Sequence, residues 1–209
     1  MTRFLVVFDV DSTLIEDEAI ELLAERCGKR KEVAEITERA MRGELDFSES
    51  LIERVATLKG LSQEVLNQVA SELRPTKGAR ELVDAIHQRG GKAAAVSGGF
   101  IQLLGPVREA IGFDFAQANT LDISDGKLTG QVRGEIVDRE VKARALKAWA
   151  IELGVPLERT IAVGDGANDL GMMSVAGLSV AFCAKPVVRE NAKIALNERD
   201  LAMLIPLLP

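Results

Sequence analysis

Histidine and tyrosine are nearly absent from this chain, with one histidine, His87, and no tyrosine among 209 residues. With so little histidine, a Ser-His-Asp mechanism or a multi-histidine zinc site is nearly excluded. His87 lies in ARELVDAIHQRG and reads as a helix-surface residue near a C-terminus, where partial positive charge is mildly favourable. Two cysteines, Cys27 and Cys183, make no disulfide framework, and both are expected as reduced thiols in a cytoplasmic protein. Basic residues do not dominate: 26 Lys and Arg stand against 32 Asp and Glu, a net charge of −6, which argues against nucleic-acid or acidic-membrane binding. No apolar run approaches the ~18 residues of a membrane span. The N-terminal apolar stretch meets Asp9 too soon to serve as a signal sequence. The chemistry must therefore run on carboxylates, hydroxyls and lysines.

The remaining composition, 47% hydrophobic and 28% charged, is that of an ordinary globular chain of one or two domains. Its organising stretch is FLVVFDVDSTL, Phe4 to Leu14. Leu5, Val6, Val7 and Phe8 read as a strand buried on both faces. Asp9, Asp11, Ser12 and Thr13 follow at once. Unpaired carboxylates are costly to bury, so the strand should end at a cleft where a cation meets both acids. The carboxyl ends of parallel strands are where open α/β sheets place ligands. An Asx-turn closing the strand explains the same residues without a site.

Helical patterns follow, over Glu16–Cys27, Arg30–Arg42, about Phe47–Leu58, and Ser62–Leu73 with Ser62 as N-cap. They are interrupted at Gly28 and at Gly43-Glu44-Leu45-Asp46. Four helices without a strand read as an inserted lobe over 15–75, leaving at Leu73-Arg74-Pro75-Thr76. From Gly78 onward strands and helices alternate, predicting a parallel, Rossmann-like α/β sheet core over 1–14 and 76–209. Lys92–Val96 is expected as a strand running into Ser97-Gly98-Gly99, with a helix over Phe100–Ala110. Phe113–Ala118 reads as another strand, and Asp125-Gly126 as a hairpin turn within Thr120–Val137. Arg139–Leu153 reads as a helix, Thr160–Val163 as a strand running into Gly164-Asp165-Gly166, and Leu178–Phe182 as a strand before a Lys185-Pro186 turn.

Three strand ends are thus expected to open into polar turns followed by helix N-termini, a setting for an anion. With acids beside them, they suggest Mg²⁺ bridging carboxylates and a phosphate. Asp165 and Asp169, four apart, can reach one mouth, or can each simply cap a helix start. Lys142 sits among Arg144 and Lys147 and by itself reads as solvated surface.

Asp9-Val10-Asp11-Ser12-Thr13, Ser97-Gly98-Gly99-Phe100, Lys142 in EVKARAL, and Gly164-Asp165-Gly166-Ala167-Asn168-Asp169 resemble, in order and spacing, the four motifs of the haloacid dehalogenase superfamily. The resemblance extends over essentially the whole chain. Gly43–Val55 (GELDFSESLIERV), Leu128-Thr129-Gly130 and Phe182–Pro186 place it near the branch that hydrolyses phosphoserine, the last step of serine biosynthesis. It implies a haloacid-dehalogenase core with a helical cap that sets specificity. It implies Asp9 as nucleophile, forming an aspartyl-phosphate, and Asp11 as general acid and base. Mg²⁺ is implied at Asp9, the Asp11 carbonyl and Asp165, with Asp169 joining through water. Lys142, Ser97 and the Gly98 amide would hold the phosphoryl group, with Asn168 also binding substrate. Glu18 and Arg54 would read the ammonium and carboxylate of the substrate, and Phe47 would shield it from water. For Glu18 and Arg54, ordinary exposed helix charges remain the plainer reading of the residues alone.

Some relatives carry an N-terminal regulatory domain; the early first strand leads us to expect none here. A small-molecule substrate, no nucleic-acid or membrane partner, and a monomer or homodimer complete the expectation. A phosphatase or phosphotransferase for another small phosphorylated amino acid is the alternative. A phospho-accepting receiver domain is a further one, though receivers lack an inserted helical lobe.

Overall fold

In the computed structural model, which describes residues 2–41 and 44–209, β1 (Leu5–Phe8) lies at the centre of a seven-stranded sheet. Phe4, Val6 and Phe8 enter one apolar layer while Leu5 and Val7 enter the other, which is why the run is apolar without alternation. Arg42, the expected end of the helix from Arg30, and Gly43, where the pattern breaks and the Gly43–Val55 stretch starts, lie outside the described residues.

Four helices follow β1: α1 (Ala19–Arg26), α2 (Arg30–Met41), α3 (Phe47–Ala56) and α4 (Gln63–Glu72). Their presence between β1 and the next strand disfavours the receiver reading. Ser62 caps α4 as expected, accepting from the Glu64 amide at 3.3 Å. The two linkers to the lobe run side by side. The Thr76 amide donates to the Leu14 carbonyl (2.8 Å), and the Glu16 amide to that of Arg74 (2.9 Å). Arg74 also grips the Asp17 carboxylate at 2.7 Å.

The core continues with α5 (Ala79–Gln88), β2 (Lys92–Phe100), α6 (Leu104–Ile111), β3 (Phe115–Ser124) and β4 (Lys127–Arg133). It ends with α7 (Arg139–Leu153), β5 (Thr160–Gly164), α8 (Leu170–Val175), β6 (Leu178–Phe182), α9 (Pro186–Asn191) and β7 (Ile194–Leu196). Strand order is β4-β3-β2-β1-β5-β6-β7, parallel except for the β3–β4 hairpin. Chain order therefore reverses beside β1, placing a ligand crevice at the carboxyl ends of β1, β2 and β5. No helix among the described residues is long and apolar enough to cross a membrane.

Four expectations are corrected. β2 does not turn at Ser97 but runs on to Phe100, and α6 begins only at Leu104. A 3₁₀ turn over Ile101–Leu103 joins the strand end to α6, so the helical stretch expected from Phe100 begins one residue later. The two strands expected around residue 119 are one, β3, turning at Asp125 and Gly126, which both adopt positive φ (50° and 73°). Lys185-Pro186 is not a free turn; Pro186 opens α9, where its missing N–H costs nothing. The first cap helix starts at Ala19, because Val10–Leu14 coils into a wide turn closed by the Ile15 amide on the Val10 carbonyl (3.0 Å).

The cap also grips the core hairpin. The Gly60 amide donates to the Leu128 carbonyl (2.8 Å), the Leu128 amide to that of Leu61 (2.9 Å), and the Gln63 amide to that of Gly126 (2.8 Å).

Candidate active site

Asp9 follows β1 directly, and its amide donates to the Val163 carbonyl of β5 (2.9 Å), fixing it at the point where chain order reverses. Asp165 and Asp169 leave the end of β5. Ligand oxygens of Asp9, Asp165 and Asp169 all lie within 4.8 Å of one another. Asp169 does both things its spacing allowed. One oxygen accepts the Asp165 and Gly166 amides, each at 3.0 Å, and the other faces the cluster. The approach is so close that a Cβ on Gly164 would lie 2.3 Å from an Asp169 oxygen.

Lys142 joins this group rather than the surface. Asp138 caps α7 by accepting the Glu140 and Val141 amides (2.9 Å each), and the first turn then directs Lys142 inward. It is fully buried, whereas Arg144 and Lys147 are exposed. Its ammonium donates to Asp9 at 2.5 Å and to Asp169 at 2.7 Å. Burial pulls the lysine pKa down, but the charges of Asp169 and Asp9 outweigh it and the net shift is upward.

The acids are held away from their ordinary range. Burial, followed by the charge of Asp169, raises Asp9 well above it; the same two causes lift Asp165 to about 6. Three carboxylates with one ammonium leave negative charge in excess, which a further cation would relieve. An all-oxygen, carboxylate donor set suits a hard divalent ion and not a thiolate- or imidazole-seeking one.

The Asp11 side chain lies outside the acidic cluster. One oxygen accepts the Ala19 amide at the start of α1 (2.7 Å), and the other accepts the Ser97 hydroxyl (3.1 Å). Burial raises its pKa, while those two hydrogen bonds oppose the rise. A carboxyl inclined to hold a proton, at the seam of cap and core, is suited to proton transfer. Ser97 is fully buried, and its hydroxyl also accepts the Gly99 amide at 2.7 Å.

The cap supplies the remaining wall. Asp46 and Glu49 form a reciprocal capping box (2.8 and 2.9 Å) that sets Phe47 as the first residue of α3. Phe47 lies on Gly98, where a Cβ would come 2.6 Å from the ring. Glu18, open to solvent on the cleft side, accepts the Ser12 hydroxyl at 2.6 Å. Loss of hydration against the surrounding protein, and then the charge of Asp11, push its carboxyl up to about 7. Ser12 itself holds a left-handed backbone, φ 57°. Arg54 is half-buried, with Nε donating to the Ser50 carbonyl (3.2 Å), and forms no ion pair among the described residues. Burial lowers its pKa, opposed by the charges of Glu18 and Asp11. Asn168, half-buried in the β5–α8 loop, places its side-chain oxygen close to Gly166.

Carboxylate, ammonium and hydroxyl groups thus gather at the carboxyl ends of β1, β2 and β5, against Phe47 of the cap. The sequence profile of haloacid dehalogenase-like hydrolases matches residues 6–174. The chain belongs to that family. Among its relatives in the family, the phosphoserine phosphatase of Streptococcus thermophilus is 53% identical over 204 residues, covering 98% of this chain and 95% of the relative. That of Streptomyces coelicolor is 56% identical over 204 residues, covering 98% of this chain; the chain spans 50% of that relative's length. A solved phospho-aspartyl intermediate analogue of phosphoserine phosphatase superposes with a TM-score of 0.93 at 42% identity, covering 100% of both chains. One buried residue of this haloacid dehalogenase-like site was not picked out from sequence: Asn119, which bridges two main-chain groups behind Gly98. An amide side chain inside a strand was its only signal.

Proposed function

We propose that the chain is a phosphoserine phosphatase, hydrolysing O-phospho-L-serine to L-serine and phosphate. Asp9 is the nucleophile: its oxygen bonds to phosphorus as the bond from phosphorus to the serine oxygen breaks. Asp11 gives that oxygen its proton. Asp11 then takes a proton from water as the water oxygen bonds to phosphorus, and the Asp9–phosphorus bond breaks to release phosphate. Lys142, Ser97, the Gly98 amide and Asn168 hold the phosphoryl oxygens. Asp9, Asp165, Asp169 and the Asp11 carbonyl are the groups that would hold Mg²⁺, which supplies the positive charge allowing a phosphate dianion to approach a carboxylate. The lobe over 15–75 acts as the specificity cap, with Phe47 excluding water. We place the enzyme in the cytoplasm, which suits the free thiols of Cys27 and Cys183.

What supports the substrate most is the opposite-charge pair Glu18 and Arg54 on the cap side of the site. Arg54, without an ion-pair partner among the described residues, offers a planar fork to a carboxylate, and Glu18 offers an anion to an ammonium. Neither residue meets the reacting phosphorus. Arg54→Ala and Glu18→Gln should each lower kcat/KM for phosphoserine by roughly 10- to 150-fold, the loss of one charge-assisted contact of ~1.5–3 kcal/mol. Hydrolysis of 4-nitrophenyl phosphate, which has neither group, should barely change. The measurement is the ratio of the two kcat/KM values in each variant. A wild-type ratio in Arg54→Ala would remove the arginine from substrate recognition.

A further inference from the structure

β2 and β3 lose register beside the site. Ser97 pairs with Ala118 and Phe100 with Asn119, so one step along β3 faces three along β2. Gly98 and Gly99 are the surplus and have no ladder partners of their own. Both are fixed as glycine from outside. A Cβ on Gly98 would strike the Phe47 ring at 2.6 Å, and one on Gly99 would come 2.7 Å from an Asp11 oxygen. Two consecutive glycines have little backbone preference, so something else must hold their shared peptide in one orientation.

Asn119 does so. It is 1% exposed, and both ends of its amide are occupied. Nδ2 donates to the Gly98 carbonyl at 2.8 Å, and Oδ1 accepts the Val137 amide at 2.8 Å. Because the peptide is planar, holding the Gly98 oxygen also aims the Gly99 N–H, which donates to Ser97 Oγ at 2.7 Å. That leaves the Ser97 hydrogen free to point forward, where it now meets Asp11 at 3.1 Å. A flipped peptide would turn a carbonyl oxygen toward Ser97 and toward any bound anion. At its other end Asn119 holds the residue just before Asp138, the cap of the helix that carries Lys142.

We infer that Asn119 is a positioning residue for phosphoryl transfer, fixing the Gly98–Gly99 peptide, and through it Ser97, relative to the root of the Lys142 helix. The inference rests on the phosphatase reading and concerns only the phosphate end of the substrate. A buried amide with both ends satisfied could be purely structural, so the test must separate position from stability.

Asn119→Asp keeps the shape and the acceptor for Val137 but sets an oxygen against the Gly98 carbonyl. Asn119→Ser withdraws both arms. Each is assayed well below its melting temperature against phosphoserine, 4-nitrophenyl phosphate and inorganic phosphate as competitive inhibitor. Expected are kcat/KM losses of about 10- to 100-fold that are equal for the two substrates, with phosphate inhibition weakened as well. Wild-type kinetics and phosphate inhibition in a folded variant, whatever its melting temperature, would overturn the inference. So would a loss confined to phosphoserine, or failure of both variants to fold, since either assigns Asn119 another role. A wild-type protein inactive on both esters would instead refute the phosphatase reading, a separate result.

Discussion

Asp9→Asn should abolish turnover, lowering kcat by on the order of 10⁴-fold or more, while leaving the fold intact. An amide nitrogen or carbonyl is a poor nucleophile toward phosphorus, so the covalent route closes. The fold should survive because Lys142 keeps its second partner, Asp169, at 2.7 Å, and Asn retains an oxygen facing the ammonium. Stability of the metal-free protein should stay level or rise. Asp9 is a buried acid raised well above its ordinary pKa by burial and by the charge of Asp169, so making it neutral relieves repulsion. Thermal melting and single-turnover kinetics with labelled phosphoserine check both halves. Residual activity above a hundredth of wild type would remove Asp9 from the nucleophile's role.

Lys142→Ala should damage activity and stability together, unlike Asp9→Asn. The buried ammonium is the only cation in ion-pair contact with Asp9 and Asp169 among the described residues. Its loss leaves buried carboxylates uncompensated, a cost of about 3–5 kcal/mol in the absence of metal. For a chain of this length that is a drop of roughly 6–20 °C in melting temperature. Transferring charge would also lose a fixed donor, lowering kcat by roughly 10²- to 10³-fold for phosphoserine and the aryl phosphate alike. Lys142→Met separates packing from charge: it restores side-chain volume and should remain just as inactive. If Lys142→Ala melts within a degree of wild type and keeps more than a tenth of its activity, the lysine does not pin the site.

Legibility in the sequence followed how local each cause was. The central strand could be read from Leu5–Phe8 because burial on both faces needs only an apolar run. The helix Arg139–Leu153 was delimited by its own ends, with Asp138 as cap and Gly154 beyond, and its observed bounds agree with the expected ones. Within that helix, however, Lys142 could not be told from Arg144 and Lys147 by composition. Its burial depends on the acids of two other strand ends, and only the resemblance to a family singled it out.

Ser97-Gly98-Gly99 was misread for a similar reason. Glycines after a strand ordinarily mark a turn, but here β2 pairs with β3 on both sides of the two glycines, and the Asn119 side chain takes the Gly98 carbonyl from across the sheet. The resemblance gave the Asp11 side chain a proton-transfer role and only its carbonyl to the metal, but no local signal foretold its contacts with the Ala19 amide and Ser97. Nor did any local signal foretell that Leu61 and Gly60 would pair with Leu128 on the core hairpin.

Phosphate release from a panel of phosphomonoesters, with Mg²⁺ and with excess chelator, tests the account most directly. The panel should include phosphoserine, phosphothreonine, a sugar phosphate and 4-nitrophenyl phosphate. Phosphoserine should give the highest kcat/KM, turnover should vanish in chelator, and it should return when Mg²⁺ is restored. Full turnover in chelator, or a phosphoserine rate no better than that of the aryl ester, would contradict it.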